Sequence, residues 1–148
     1  MRIALGADDS TRVVDAIDDF LRSAGHEVTR YGKAAGEQEA WAETARRVAE
    51  AVATGRQEQG VVCCWTGTGV SIAANKVSGV RAALCVDAET ARGARKWNDA
   101  NVLALSLRLT SEEVMKEILS AWLAEPYART EDESLAVVSA LDARKRSP

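Results

Sequence analysis

Apolar positions along the chain follow two alternating patterns. Short apolar runs, typical of buried strands, are separated by longer segments in which apolar residues recur every three or four positions, as on one face of a helix. The predicted strands are residues 3–6, 26–31, 60–64, 80–86 and 101–105. The predicted helices begin near Thr11, Trp41, the turn after Cys64, Ala88, Thr110 and Glu131.

This alternation of strands and helices predicts an α/β fold. A strand that follows a helix returns parallel to its predecessor, so helices cover both faces of the sheet. We therefore expect a Rossmann-like, three-layer α/β/α architecture with a five-stranded parallel sheet. The chain has 148 residues and is 47% hydrophobic, which is enough for one core and too little for two ordinary ones. Residues 1–148 are expected to form a single domain.

Polar residues and glycines predict where individual helices begin and end. Asp9 or Ser10 precedes the first helical segment and is predicted to cap it. Thr110 is followed three residues later by Glu113, the spacing of a capping box. Gly25 lies just beyond the first helix, where a left-handed residue often ends a helix.

Charge and hydropathy exclude two classes of partner. The formal net charge is −3 and basic residues are dispersed, so no surface is predicted to bind the phosphate backbone of a nucleic acid. No apolar run approaches the roughly 18 residues of a membrane span. We expect a cytoplasmic protein that binds neither nucleic acid nor membrane.

The cysteines and the single histidine do not predict a disulfide framework or a metal site. The three cysteines are Cys63, Cys64 and Cys85, an odd number with two adjacent, and His26 is the only histidine. Cys63 and Cys85 fall in predicted strands and are expected in the core. Gly67 and Gly69 imitate part of a dinucleotide fingerprint, but its third glycine is missing. No cofactor is expected.

The segment around Cys64 carries the clearest chemical signal. It comprises the apolar run Val61-Val62-Cys63-Cys64 and the glycine turn Trp65-Thr66-Gly67-Thr68-Gly69, followed by a helical pattern. Glycines allow a tight turn, and the free N–H groups at a helix start favour an anion there. Because ligands bind at the carboxyl ends of parallel strands, Asp8, Asp9 and Asp87 are expected to converge on this turn.

Two stretches of the sequence resemble a known family, the ribose-5-phosphate isomerase B and galactose-6-phosphate isomerase group. The family pattern Cys-Gly-Thr-Gly-x-Gly-x-Ser-Ile-Ala-Ala-Asn-Lys stands here as residues 64–76, with Trp65 in place of a glycine. The pattern His-Asn-Asp-x-Asn-Val-Leu-Ala stands as residues 97–104, with Trp97 in place of the histidine. The resemblance implies a cofactor-free aldose–ketose isomerase. It also implies a homodimer with sites between subunits, in which the last segment, about residues 126–148, packs on the partner.

The resemblance also implies roles for individual residues. Cys64 matches the catalytic base, and Thr66 lies at the oxyanion pocket, which includes the N–H groups of Gly67, Thr68, Gly69 and Val70. Asp8 matches an aspartate that contacts sugar hydroxyls, and Asn98 matches the asparagine of the second pattern. The alternative for Cys64 is a thiol that only lines the pocket, and Asp8 and Asp9 could serve only as helix caps.

The departures from the family patterns indicate a rebuilt pocket. Asp9 and Trp97 replace histidines, while Glu131 and Leu135 fall near positions where relatives bring arginines to a phosphate. A further set of substrate-binding candidates consists of the tryptophans Trp41, Trp65 and Trp97. These changes favour a substrate without phosphate or with an apolar portion, and they predict poor turnover of ribose 5-phosphate.

Three functions remain open at this stage. The first is an aldose–ketose isomerase acting on a sugar or sugar phosphate through an enediolate. The second is a small-molecule-binding protein that kept the scaffold and lost the chemistry, in which case the tryptophans fill a closed site or the dimer interface. The third is an ordinary ribose-5-phosphate isomerase.

Overall fold

The computed structural model describes residues 1–145 and confirms the predicted α/β alternation. The strands are Arg2–Ala7 (β1), Glu27–Gly32 (β2), Gln59–Cys64 (β3), Ala82–Leu84 (β4) and Val102–Ser106 (β5). The helices are Arg12–Ser23 (α1), Trp41–Ala53 (α2), Thr68–Ala74 (α3), Ala88–Asn98 (α4), Glu112–Ala124 (α5) and Asp132–Lys145 (α6). A short 3-10 turn at Lys33–Ala35 follows β2.

The five strands form one parallel sheet in the order β2-β1-β3-β5-β4. The chain first adds β2 on one side of β1 and then crosses to the other side to add β3. Neighbouring strands whose connections run in opposite directions leave a crevice between their carboxyl ends, where α/β proteins bind ligands. The fold therefore places the most favourable binding position after Ala7 and Cys64.

Alternate side chains of the central strands enter two separate cores. On one face, Val61 and Cys63 pack in the core formed with α1, α4 and α5. On the other face, Val62 and Cys64 pack with α2 and α3. Because successive strand residues point to opposite faces, adjacent cysteines are separated by the sheet. The core positions predicted for Cys63 and Cys85 are confirmed, since both side chains are almost fully buried.

Two predicted helix caps are wrong by one or two residues. Thr11, not Asp9 or Ser10, caps α1 by accepting a hydrogen bond from the Val14 N–H. At α5 the cap is Ser111, which accepts from the Val114 N–H, so the capping box predicted for Thr110 and Glu113 does not form.

The reason at α5 is a turn that the helical pattern does not reveal. The N–H of Thr110 donates to the carbonyl of Ser106, which closes a turn at the end of β5 and buries the Thr110 side chain. The helix begins one residue later. At the first helix, the Asp9 carboxylate instead accepts from the neighbouring Ser10 N–H at 2.8 Å.

Strand β4 is shorter than the predicted run of residues 80–86. The N–H of Val80 closes a turn onto the carbonyl of Val77, and the N–H of Val86 donates to the Thr90 hydroxyl at the start of α4. The residues on both sides of β4 therefore belong to turns or to the start of α4. Cys85 lies after the strand, not within it. Asp87 caps α4 in a capping box with Thr90.

The last helix lies near the loop before β4. Asp142 of α6 accepts a hydrogen bond from the Gly79 N–H at 2.7 Å. Several apolar side chains of this helix remain exposed, among them Val137, Val138 and Leu141. The expected packing of residues 126–148 on a partner stays a prediction, and residues 146–148 lie outside the described part of the chain.

Candidate active site

A cleft of about 310 Å³ opens at the carboxyl ends of β1 and β3, on the sheet face covered by α2 and α3. Its lining consists of Asp8, Trp41, Cys64, Trp65, Thr66, Thr68 and Gly69. All seven residues are among the site candidates taken from the sequence. The fold therefore brings together residues that lie up to 61 positions apart, at the place where the topology favours a ligand.

Cys64 is the last residue of β3 and lines the floor of this cleft. Its side chain is 6% exposed, and its carbonyl accepts a hydrogen bond from the Leu107 N–H at 3.0 Å. The neighbouring Cys63 points into the opposite core, where burial raises the pKa of its thiol far above the ordinary value. Burial likewise raises the pKa of Cys85 to about 11. Of the three thiols, Cys64 is the one that faces the cleft.

The turn after Cys64 requires glycine at its sharpest point. Gly67 has a φ of 75°, and a Cβ there would lie 2.9 Å from the backbone carbon of Leu105 and 2.6 Å from the Leu84 side chain. Helix α3 begins immediately afterwards at Thr68. The first N–H groups of a helix have no acceptor within the helix, and no side chain of the described residues caps α3.

The hydroxyl groups of Thr66 and Thr68 stand beside these amides. They share a hydrogen bond of 2.7 Å, and both side chains are exposed at the cleft. Val70 is fully buried, so its side chain belongs to the core. The turn presents a set of hydrogen-bond donors close to the Cys64 thiol, which is the arrangement that stabilises a developing oxyanion.

Trp41 covers the other side of the turn. It is the first residue of α2, and a Cβ built on Gly69 would lie 3.1 to 3.3 Å from three atoms of its six-membered ring. The indole therefore rests directly on the Gly69 backbone. The segment before Trp41 is held to α2 by Arg47, which pairs with Glu37 and Glu39.

Asp8 contributes a carboxyl group to the cleft. Burial raises the pKa of Asp8, and the neighbouring charge of Asp9 raises it further, while its own backbone N–H and the ammonium of Lys33 oppose the shift. Asp9 itself is exposed. A carboxyl group whose pKa moves toward neutral pH is suited to proton transfer.

Trp97 and Asn98 lie outside this cleft in the single chain. They line a separate groove of about 520 Å³ together with Glu131 and Leu135 of the last segment. The two positions at which relatives were expected to carry arginines are thus next to Asn98 in the same chain. Asp87, expected near the turn, caps α4. Neither Trp97 nor Asn98 reaches Cys64 within one chain.

Sequence reasoning missed two residues that hold the cleft from the β5 side. The Ser106 hydroxyl and the Arg108 N–H both donate to the carbonyl of Trp65, at 3.0 and 2.9 Å. The Arg108 side chain is exposed. The signal available in the sequence was a serine, Ser106, at the end of an otherwise apolar strand, with an arginine, Arg108, two positions later.

Two searches of the described residues concern metal-binding groups and membrane-spanning helices. Among residues 1–145 no group of three or more His, Cys, Asp or Glu side chains is arranged to hold a metal ion. None of the described helices combines the length and the apolar character needed to cross a bilayer.

Comparison with known proteins identifies the family. A family model for ribose/galactose isomerases matches residues 3–138. The chain belongs to the ribose/galactose isomerase family. This confirms the resemblance seen in residues 64–76 and 97–104, and it places the protein among aldose–ketose isomerases.

Relatives within the ribose/galactose isomerase family act on sugars of different length, according to their names. D-erythrulose-4-phosphate isomerase of Pectobacterium atrosepticum is 41% identical over 125 residues, which is 83% of this chain and 82% of the relative. Ribose-5-phosphate isomerase B of Escherichia coli is 39% identical over 127 residues, or 85% of each chain. Among solved structures, ribose-5-phosphate isomerase B of Clostridium thermocellum superposes with a TM-score of 0.92 at 35% identity, covering 97% of this chain and 99% of that one.

Proposed function

We propose that this protein interconverts the aldose and ketose forms of a small sugar phosphate, with Cys64 as the catalytic base. The observation that carries the proposal is the cleft itself. A thiol at the end of β3, the donor-rich turn of residues 66–70 and the Asp8 carboxyl group line one opening at the switch point of an isomerase-family fold.

The reaction requires a proton to move between adjacent carbons. The Cys64 thiolate removes the proton from carbon 2 of the aldose, and the electron pair forms an enediolate with negative charge on oxygen 1. The amides of the turn and the Thr66 hydroxyl stabilise that oxygen. A proton then moves from oxygen 2 to oxygen 1, and the Cys64 thiol returns its proton to carbon 1, which gives the ketose. Asp8 is placed to hold the sugar hydroxyl groups and to assist ring opening.

A phosphorylated substrate is favoured over an unphosphorylated one. The names of the relatives specify sugar phosphates, and Arg108, whose backbone N–H donates to the carbonyl of Trp65, has an exposed side chain. A guanidinium is well suited to pair with a phosphate.

The complete site is proposed to form between two subunits. In one chain, Asn98 and Trp97 face the groove beside α6 and not Cys64. The face that carries this groove also exposes Leu84, Trp97, Val138 and Leu141. A symmetric dimer would cover these apolar side chains and bring Asn98 of one chain to the Cys64 cleft of the other. Both the homodimer and the placement of Asn98 are proposals.

The test is solvent deuterium exchange in heavy water. With D-erythrulose 4-phosphate or ribose 5-phosphate as substrate, NMR should detect deuterium at the carbon that gains a proton. We expect Cys64→Ala to lower kcat by roughly 100-fold to 10,000-fold, the range typical for a lost base. Cys63→Ala is the matched control, because it removes the adjacent thiol on the opposite face of the sheet, and it should keep its kcat.

Two results would reject the proposal. Exchange that persists in Cys64→Ala would show that another group is the base. A protein whose melting temperature rises with these sugars, equally in Cys64→Ala, but which exchanges no deuterium would be a binding protein without isomerase activity.

A further inference from the structure

Trp65 is an exposed aromatic residue that belongs to neither hydrophobic core. Its side chain is 61% exposed, although it follows directly on a strand whose last five residues are buried. Its backbone is nevertheless fixed, since the carbonyl accepts hydrogen bonds from the Ser106 hydroxyl and the Arg108 N–H. The direction in which the indole leaves the backbone is therefore set by the fold, and that direction leads to the rim of the Cys64 cleft.

The turn that follows Trp65 is packed against the sheet. Gly67 sits against the backbone of Leu105 and Ser106, so the turn is packed onto β5. On the other side of the cleft, the indole of Trp41 rests on Gly69. Two large side chains on fixed backbones thus bound the space above Cys64. The resulting cleft of about 310 Å³ lies at the lower end of the roughly 300–1,000 Å³ that small-molecule sites occupy.

Overall similarity does not select the length of the substrate. The relative named for a four-carbon ketose phosphate and the relative named for a five-carbon sugar phosphate are 41% and 39% identical to this chain. The selection must therefore be made by the side chains that bound the cleft. Of these, Trp65 is the bulky residue in the strand-to-turn segment next to the proposed base.

We propose that Trp65 determines substrate length, so that a four-carbon sugar phosphate is a better substrate than a five-carbon one. The inference rests on the isomerase function proposed above. Its physical basis is steric: the indole lines the cleft beside Cys64, where it takes up room that a longer sugar chain would need. A smaller side chain at position 65 would open that space without altering Cys64, Thr66 or Asp8.

The experiment is a size series at one position. Trp65→Phe, Trp65→Ala and Trp65→Gly are compared with the natural chain by measuring kcat/KM for D-erythrulose 4-phosphate and for ribose 5-phosphate. One carbon unit in a fitted pocket changes discrimination by roughly 10-fold to 200-fold. We expect the natural chain to favour the four-carbon substrate by at least 10-fold. The ratio should shift toward ribose 5-phosphate as the side chain shrinks, with Phe giving the smallest change.

Leu109→Ala is the matched control. Leu109 is 64% exposed in the loop after β5, next to the arginine that holds Trp65, but it does not line the cleft. Its substitution should leave the ratio unchanged. A ratio that stays constant along the Trp65 series, or equal losses on both substrates, would overturn the inference. So would a natural chain that already prefers ribose 5-phosphate.

A binding measurement separates this inference from the proposed chemistry. The phosphorylated aldonic acids with four and five carbons resemble the substrates but cannot be isomerised. If no sugar phosphate is turned over, the isomerase proposal fails, and the Kd ratio of these two acids still tests the length limit. We expect the Kd of the five-carbon acid divided by that of the four-carbon acid to fall at least 10-fold from the natural chain to Trp65→Gly. An unchanged ratio would reject the role of Trp65. The Phe and Ala variants provide the same test if the glycine variant does not fold.

Discussion

Asp8 and Asp9 place two carboxyl groups side by side at the end of β1, and only Asp8 lines the cleft. Burial and then the charge of Asp9 raise the pKa of Asp8, while Lys33 lowers it. Replacing Asp9 by asparagine removes a repulsion that disfavours the ionised form of Asp8. We therefore expect Asp9→Asn to lower the pKa of Asp8 and Lys33→Met to raise it, as measured by NMR titration of the Asp8 carboxyl carbon.

Asp19→Asn is the control for this titration. Asp19 is an exposed carboxylate on α1, and its removal changes the net charge by the same amount without touching the cleft. The Asp8 pKa should be unaffected in this variant. Equal shifts of the Asp8 pKa in Asp9→Asn and Asp19→Asn would mean that the effect comes from overall charge. The neighbouring Asp9 carboxylate would then have no specific effect on Asp8.

At the same scale, the sequence predicted the residues of the cleft better than their surroundings. Cys64, Asp8 and the glycine turn could be found because short motifs keep chemical groups at fixed spacing along the chain. The contact of Ser106 and Arg108 with the Trp65 carbonyl could not be predicted, since it depends on the pairing of β3 with β5.

At the scale of single elements, the turn between β3 and α3 depends on Gly67. Alanine there must keep a positive φ, which costs roughly 1–2 kcal/mol, and its Cβ would meet backbone atoms of Leu105 and Ser106 at 2.9 Å. Backbone atoms within a sheet cannot easily move aside. We expect Gly67→Ala to lower the free energy of unfolding by about 2–4 kcal/mol in urea titrations.

Gly36→Ala separates the contribution of the backbone angle from that of the contact. Gly36 has a similar φ of 77°, but no atom lies within 4 Å of its missing Cβ. Its substitution should lower the free energy of unfolding by only about 1–2 kcal/mol. If both variants lose the same stability, the close packing of the turn on β5 contributes nothing and the conformational requirement alone explains glycine at both positions.

Element boundaries were harder to predict than element types. Apolar runs and apolar residues at spacings of three or four were sufficient to predict the five strands and six helices, because burial imposes these patterns directly. The ends of β4 and the caps of α1 and α5 were misplaced because each is decided by a hydrogen bond outside the pattern. The Thr110 N–H, for example, is engaged by the Ser106 carbonyl before α5 begins.

At the scale of the whole molecule, the single chain divides the proposed site into two parts. Cys64 and Asp8 line one cleft, and Asn98 lines a groove beside α6. Cys64 is the last residue of β3, whereas Asn98 is the last residue of α4 and precedes the parallel neighbouring strand β5, so the two lie toward opposite ends of the sheet. A homodimer with shared sites would reunite them, and this arrangement makes a quantitative prediction about mixed dimers.

Two variants with little activity should restore each other when combined in one dimer. We expect Cys64→Ala and Asn98→Ala homodimers each to lose at least 10-fold in kcat/KM. In a heterodimer purified through two different affinity tags, one site carries both substitutions and the other carries neither. Its activity should therefore reach roughly half that of the natural dimer, because a two-fold dimer holds two equivalent sites.

The control heterodimer pairs Cys64→Ala with Asp8→Asn. These two residues line the same cleft of one chain, so each site of the mixed dimer carries one substitution and no intact site is formed. Its activity should remain as low as that of the separate variants. If the Cys64→Ala and Asn98→Ala pair recovers no more than this control, Asn98 does not act across the interface, and the shared site would have to be abandoned even if the dimer itself exists.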